Sequence, residues 1–166
     1  DVRRDIRSID NLESYEGLIT YLQKEYKIVL IGNKKDKFYQ RFNNKNLINY
    51  SSSSYQSVEN DFYLISNCEF FIGNFSGPSA IAVGLNKPVM IFDCQPLFVL
   101  WDYNKVRYFP KYVYKKKKLI SIYEIIKNEA FFKEEFFSKN NWLTKCSNYE
   151  EKIREIKIFL NIYKKK

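Results

Sequence analysis

The sequence predicts an α/β fold, a parallel sheet with helices on both faces. Three runs carry that reading: Ile28-Val29-Leu30-Ile31, Glu69-Phe70-Phe71-Ile72 and Val89-Met90-Ile91-Phe92. Each is short and nearly all apolar, as strands buried on both faces are. The first two close on a glycine, Gly32 and Gly73, and the third on Asp93. Helical patterns lie between them, so the order is strand, helix, strand, helix, strand. That alternation means βαβ units, and right-handed crossovers then place helices on both faces.

The elements follow in chain order. Asp10 and Glu13 form a D-x-x-E helix start, and Leu12, Tyr15, Leu18, Ile19 and Leu22 recur at helical spacing. The first strand run gives way at Gly32 to a polar loop. Leu47 to Tyr50 reads as another short strand and Ser51 to Ser54 as a loop. A helix is expected from about Ser57 to Asn67, with Phe62 and Ile65 turned inward. Beyond Gly73, a turn leads into the apolar helix start Ala80-Ile81-Ala82-Val83, which Lys87-Pro88 ends. Trp101 to Lys118 is aromatic and basic without a clear period. Ser121 and Glu124 form a capping box ahead of Ile122, Ile125 and Ile126. Phe131, Phe132, Phe136 and Phe137 add apolar surface, and Trp142 to Cys146 reads as a short edge strand. Tyr149, Ile153, Ile156, Leu160 and Tyr163 form one stripe of a final amphipathic helix. No repeat or linker divides the chain. Residues 1–166 therefore read as a single domain, and the opening Asp1-Val2-Arg3-Arg4 reads as part of something longer.

Composition narrows the chemistry. A chain of 166 residues with 45% hydrophobic side chains can build a core, which excludes a largely disordered segment. It has no histidine, which excludes a Ser-His-Asp triad, a Cys-His pair and a His-ligated metal within it. The three cysteines show no CxxC spacing, so neither a disulfide framework nor a metal site is expected, and a reducing, cytoplasmic setting fits. No apolar run approaches the roughly 20 residues of a membrane span, and no signal peptide is expected. The net charge of +9 gathers in part at Lys115 to Lys118 and Lys164 to Lys166. Those runs are either solvated loops and tails or a contact for an anionic partner: a nucleotide-linked substrate, the inner membrane face or nucleic acid. Nucleic acid is disfavoured, because no basic face interleaved with aromatics falls on an expected sheet or helix.

The stretch that can carry chemistry is Gly73-Asn74-Phe75-Ser76-Gly77-Pro78-Ser79. Ligands of open parallel sheets bind beyond the carboxyl ends of the strands. A helix start there offers N–H groups and a partial positive charge to a phosphate. Gly77 lets a ligand approach the backbone, Pro78 suits the first helical positions, and Ser76 and Ser79 add hydroxyls. The alternative is that Ser76 or Gly77 simply caps the helix. The string is neither a Walker loop nor GxGxxG.

Phe71-Ile72-Gly73, then Ser76-Gly77, then Lys87-Pro88-Val89 resembles a family of bacterial glycosyltransferases with GT-B-like architecture. Arg7 to Asp10, Tyr15, Leu22 to Gly32, Tyr55 to Ile65, Pro110-Lys111, Ser121 to Ile125 and Asn148 to Ile153 extend the similarity in order. The resemblance implies a Rossmann-like domain, the C-terminal half of such an enzyme, which binds a nucleotide-diphosphate sugar and passes the sugar to an acceptor such as a glycan or lipid-linked sugar. It implies Gly32, Gly73, Asn74, Ser76, Gly77 and Ser79 at the donor diphosphate, Glu124 at the ribose, and Arg3, Arg4 and Lys111 at the phosphates. Glu124 has a competing role as a capping residue, and Asp93, which ends a strand on the ligand side, either contacts a ligand or caps the next turn, with the cap expected. No cofactor or metal is implied and no catalytic residue is assigned. The family's first strand has no counterpart here, which implies a gap beside Ile28 to Ile31, and the acceptor half is missing too. The other reading kept open is a non-catalytic Rossmann-like fragment, or a binding module for an anionic partner.

Overall fold

A computed structural model describes residues 12–32, 45–94, 104–128 and 142–163. Helix α1 spans Leu12–Leu22, and the strands β1 (Ile28–Val29) and β2 (Leu47–Ile48) pair in parallel. A 3-10 turn over Tyr50–Ser52 leads to α2 (Val58–Asn67). Next come β3 (Phe71–Gly73), α3 (Gly77–Gly84), β4 (Val89–Cys94) and β5 (Val106–Pro110). These last three strands form a second parallel sheet in the order β3-β4-β5. The chain then builds β6 (Tyr112–Lys115), β7 (Lys118–Leu119), α4 (Ile122–Lys127), β8 (Trp142–Lys145) and α5 (Tyr149–Tyr163).

The expected layering holds around β4. Its six residues are all buried, so both faces are covered. Met90 and Phe92 point to α1 and α5, where they pack with Leu18, Leu22, Ile156, Phe159 and Leu160. Val89 and Ile91 point the other way, onto Ile65 of α2 and Ala82 and Val83 of α3. The period of two in the strand thus meets a helical stripe on each side. Helices α1 and α5 approach closely at Gly17, where a Cβ would fall within 3 Å of the Tyr149 ring.

The parallel strands do not form one sheet. No hydrogen-bonded ladder joins β1 to β3 among the described residues. The two small sheets nonetheless feed the same two cores. Ile28 and Ile72 pack against the cluster of α1 and α5, while Ile31 and Phe71 pack against the cluster of α2 and α3. Tyr26 and Phe70, one just before each strand, meet edge to face with centroids 5.0 Å apart, so the amino ends of β1 and β3 lie together.

The second half is antiparallel. Strands β7-β6-β8 make a three-stranded sheet with β8 on the edge, as its sequence predicts. Val113, Ile120, Ile125 and Trp142 form its own small core. Its turn, Lys116-Lys117, is left-handed at both residues, with φ of 48° and 68°, the geometry of a two-residue hairpin.

Some expectations need correction. Phe62 is 46% exposed while Ile65 is buried, so only the latter faces inward. The 3-10 turn takes Tyr50 out of the second strand and buries Ser51. The third strand does not stop before Asp93 but runs through it with a bulge between Phe92 and Cys94. Helix α3 ends at Gly84, ahead of Lys87-Pro88. Asp10, Trp101 and the phenylalanines at 131, 132, 136 and 137 lie outside the described residues. No helix among the described residues is long and apolar enough to cross a membrane.

Candidate functional site

A cleft of about 1060 Å³ separates the two parallel sheets. Residues 27–32 line one wall and 67–74 the other, with Tyr15, Leu18, Ile19 and Leu22 of α1 and Asp61, Leu64 and Ile65 of α2 completing it. At the end where β1 and β3 finish, the lining is Gly32, Gly73, Asn74, Ser76 and Pro78. The chain leaves β1 for β2 on one side of this cleft and proceeds from β3 to β4 and β5 on the other. The cleft is therefore where the strand order reverses, which is where open α/β sheets hold their ligands.

Helix α3 begins at that mouth with a reciprocal capping box. The Ser79 N–H donates to Ser76 Oγ at 3.5 Å, and the Ser76 N–H donates to Ser79 Oγ at 2.9 Å. Ser79 is fully buried and its hydroxyl also donates to the Ser76 carbonyl at 2.8 Å, so Ser79 builds the turn. Ser76 Oγ reaches Asn74 O and Ser79 Oγ only at 3.3 and 3.5 Å, long bonds that a better acceptor can replace. Pro78 has no N–H to offer. Of the helix start, Ser76 and Pro78 line the mouth, and Gly77 and Ser79 do not, so the Ser76 hydroxyl is the side-chain donor there. A Cβ on Gly77 would meet nothing within 4 Å, so no packing within the protein demands glycine there. Gly73 differs, because a Cβ there would press on the Phe71 ring at 2.9 Å.

Two residues that the sequence did not single out belong to this region. Gln56 Nε2 donates to the Gly32 carbonyl at 2.7 Å and fixes the end of β1. Asp61, on the first turns of α2, lines the cleft, and its Oδ1 is buried without a hydrogen-bond partner. Ser57 caps α2 by accepting from the Asn60 N–H. An aspartate here reads from sequence as an ordinary helix-start acid, and only the cleft wall shows otherwise.

The remaining candidates do not converge on the mouth. Arg3 and Arg4 lie outside the described residues. Lys111 is 4% exposed at the junction of β5 and β6, where its N–H donates to the Cys94 carbonyl. Glu124 sits in the antiparallel half, and its N–H donates to Ser121 Oγ at 3.2 Å, the helix-cap geometry. Neither lines the cleft.

Asp93 has another role than capping a turn. Its carboxylate takes an ion pair from Lys152 Nζ at 2.7 Å, with both side chains fully buried. The N–H and Oγ of Ser147 donate to Oδ1 at 2.8 and 2.9 Å, and Tyr15 donates to Oδ2 at 2.8 Å. Lys152 donates in turn to the Ser147 carbonyl and hydroxyl, and lies 4.6 Å from the centre of the Tyr15 ring. Burial, and then the Asp93 carboxylate, push the Tyr15 phenol well above its ordinary pKa, so it stays a donor. Asp93 itself is left-handed, with φ of 52°. That conformation costs roughly 1–2 kcal/mol for a residue with a Cβ, and the four-residue network holds it in place. Asp93, Ser147 and Lys152 are buried, Tyr15 reaches them from the cleft wall, and the network ties β4 to both helices on one face.

No group of histidine, cysteine, aspartate or glutamate among the described residues is arranged to hold a metal ion. Cys94 is buried, and burial pushes its thiol up to about 12, so it is unreactive at neutral pH. No family model, curated protein or solved structure matches this chain.

Proposed function

We propose that the chain is the donor-binding part of a glycosyltransferase, taking the diphosphate of a nucleotide sugar at the mouth of the cleft. The observation that supports this best is the convergence there of Gly32, Gly73, Asn74 and Ser76 with Pro78 of α3. The Ser76 hydroxyl and the start of α3 would face the diphosphate, on which charge develops as the sugar leaves. Asp61 would accept from a ribose or sugar hydroxyl, the role that the resemblance implies for Glu124. Arg3 and Arg4 precede α1 in sequence and would add a bidentate clamp. A glycan or lipid-linked acceptor, and contact with an anionic membrane face through Lys115 to Lys118, belong to the same reading.

The test is thermal stabilisation by UDP, GDP, CDP and ADP and their sugars at two salt concentrations. One base is expected to raise Tm by about 5–10 °C at a hundredfold excess over Kd, at both salts. Gly77→Val and Asp61→Asn should abolish or weaken that shift while leaving the unliganded Tm within about 2 °C. Stabilisation that ignores the base and vanishes with salt would overturn the proposal. A non-catalytic module for an anionic partner is the second reading, favoured by the absence of Lys111 and Glu124 from the cleft lining. Base-selective binding excludes it in the form of a plain charge contact.

A further inference from the structure

We propose that the cleft between β1 and β3 is an acceptor slot for one extended apolar peptide strand, parallel to both walls and supplied from the N-terminal side of α1. Its walls are two parallel strands already paired on their outer sides, β1 to β2 and β3 to β4. In a parallel ladder, successive residues bond alternately to one neighbour and the other. The Ile28 and Leu30 N–H groups donate to Asn46 and Ile48 on the β2 side, and the Phe71 N–H donates to Pro88 on the β4 side. The backbone of Val29 and of Ile72 is therefore directed into the cleft from opposite walls.

The walls also match in plane and polarity. Ile28 and Ile72 share one helix layer, and Ile31 and Phe71 share the other. The contact between Tyr26 and Phe70 brings the amino ends together, and Gly32 and Gly73 line the opposite end. A strand in this slot would join both pairs into one sheet ordered β2-β1-strand-β3-β4-β5, the order of a doubly wound sheet. Its side chains would meet Leu18 and Leu22 on one face and Leu64 and Ile65 on the other, so an uncharged, β-branched segment fits.

The route of connection follows from α1. Tyr15, in its first turn, bonds to Asp93 at the carboxyl end of β4, so α1 starts at the carboxyl edge of the sheet. A strand parallel to β3 also leaves the slot at that edge. Residues 1–10 carry Asp1, Arg3, Arg4, Asp5, Arg7 and Asp10, a charged composition unlike the apolar lining of the slot. This inference concerns assembly of the sheet and does not depend on the ligand.

The experiment adds Lys-Val-Ile-Val-Ile ahead of Asp1 in the full chain. A control carries Lys-Val-Pro-Val-Ile, because proline removes a ladder donor. The same strand is also supplied as a free peptide in excess. The readouts are amide exchange over residues 28–32 and 70–74, Tm and oligomeric state. The apolar strand is expected to slow exchange about tenfold or more in both segments and to raise Tm by about 5–10 °C in a monomer. The proline version should do neither. Equal behaviour of the two extensions, protection of one wall only, or no protection from either tethered or free strand would overturn the proposal. So would concentration-dependent protection in the unextended chain, which would show a second copy filling the slot.

Discussion

Strands β4 and β1 look alike in sequence and differ in the fold. Val89-Met90-Ile91-Phe92 and Ile28-Val29-Leu30-Ile31 are equally apolar runs of four. In β4 all four side chains are at most 2% exposed, whereas Ile28 and Val29 of β1 are half-buried. The runs themselves do not account for that. Strand β4 has partners on both edges and helices on both faces, while β1 has one strand partner and faces the cleft with its other edge. Local composition makes a strand, and neighbours decide how much of it is buried.

Substitutions that test the difference act most strongly at the carboxyl end of β4. Asp93→Ala should destabilise the protein by about 3–5 kcal/mol, because it leaves the Lys152 ammonium buried without its counter-charge. Combining it with Lys152→Met should restore much of the loss. Urea unfolding of both single variants and the double variant measures this, and a double loss equal to the sum of the two single losses would mean that the pair is not a coupled unit. Next, Phe92→Ala should cost about 3–5 kcal/mol, against about 1–2 for Ile28→Ala, whose side chain is only partly removed from water. Equal costs would break the contrast between the strands.

A smaller effect appears only in alkali. The Cys94 thiol is held up to about 12 by burial, from an ordinary value near 9. Its stabilising contribution is complete below pH 9, where folded and unfolded chains are both protonated. It is lost as pH rises toward 12, because the unfolded chain releases the proton first. The Tm of the parent chain should fall more steeply over pH 9–11 than that of Cys94→Ala. Parallel curves would show that the thiol gains no protection from β4.

Much of the parallel half was legible because its signals are local. Apolar runs of four, the stripe at Leu18, Ile19 and Leu22, and the Ser76-Gly77-Pro78-Ser79 helix start each need only a few residues to be read. Phe62 was misplaced because it fits the helical period of α2 but not the face that the neighbours cover. Strands β5 and β6 gave no clear period, since tyrosine, phenylalanine, arginine and lysine share their faces. Lys152 sits in a helix full of charged residues and reads as solvent-facing, yet it is fully buried. Its partner lies on another element, and no local pattern announces such a pairing. At the site, the glycine turn was visible in sequence, whereas Asp61 became a candidate only through the cleft wall that it helps to form.

The network around Asp93 also predicts an order of events in folding. Tyr15 and Asp93 are 78 residues apart, and Asp93 and Ser147 a further 54. Closing those loops costs entropy that no local contact offsets in advance. As the chain is synthesised, β4 emerges with an acidic group at its end that needs Ser147 and Lys152 before it can be enclosed. The central strand is therefore expected to settle between its layers only after α5 has left the ribosome. A nascent chain arrested before residue 147 would keep α1 and β4 apart, with their apolar faces open to chaperones.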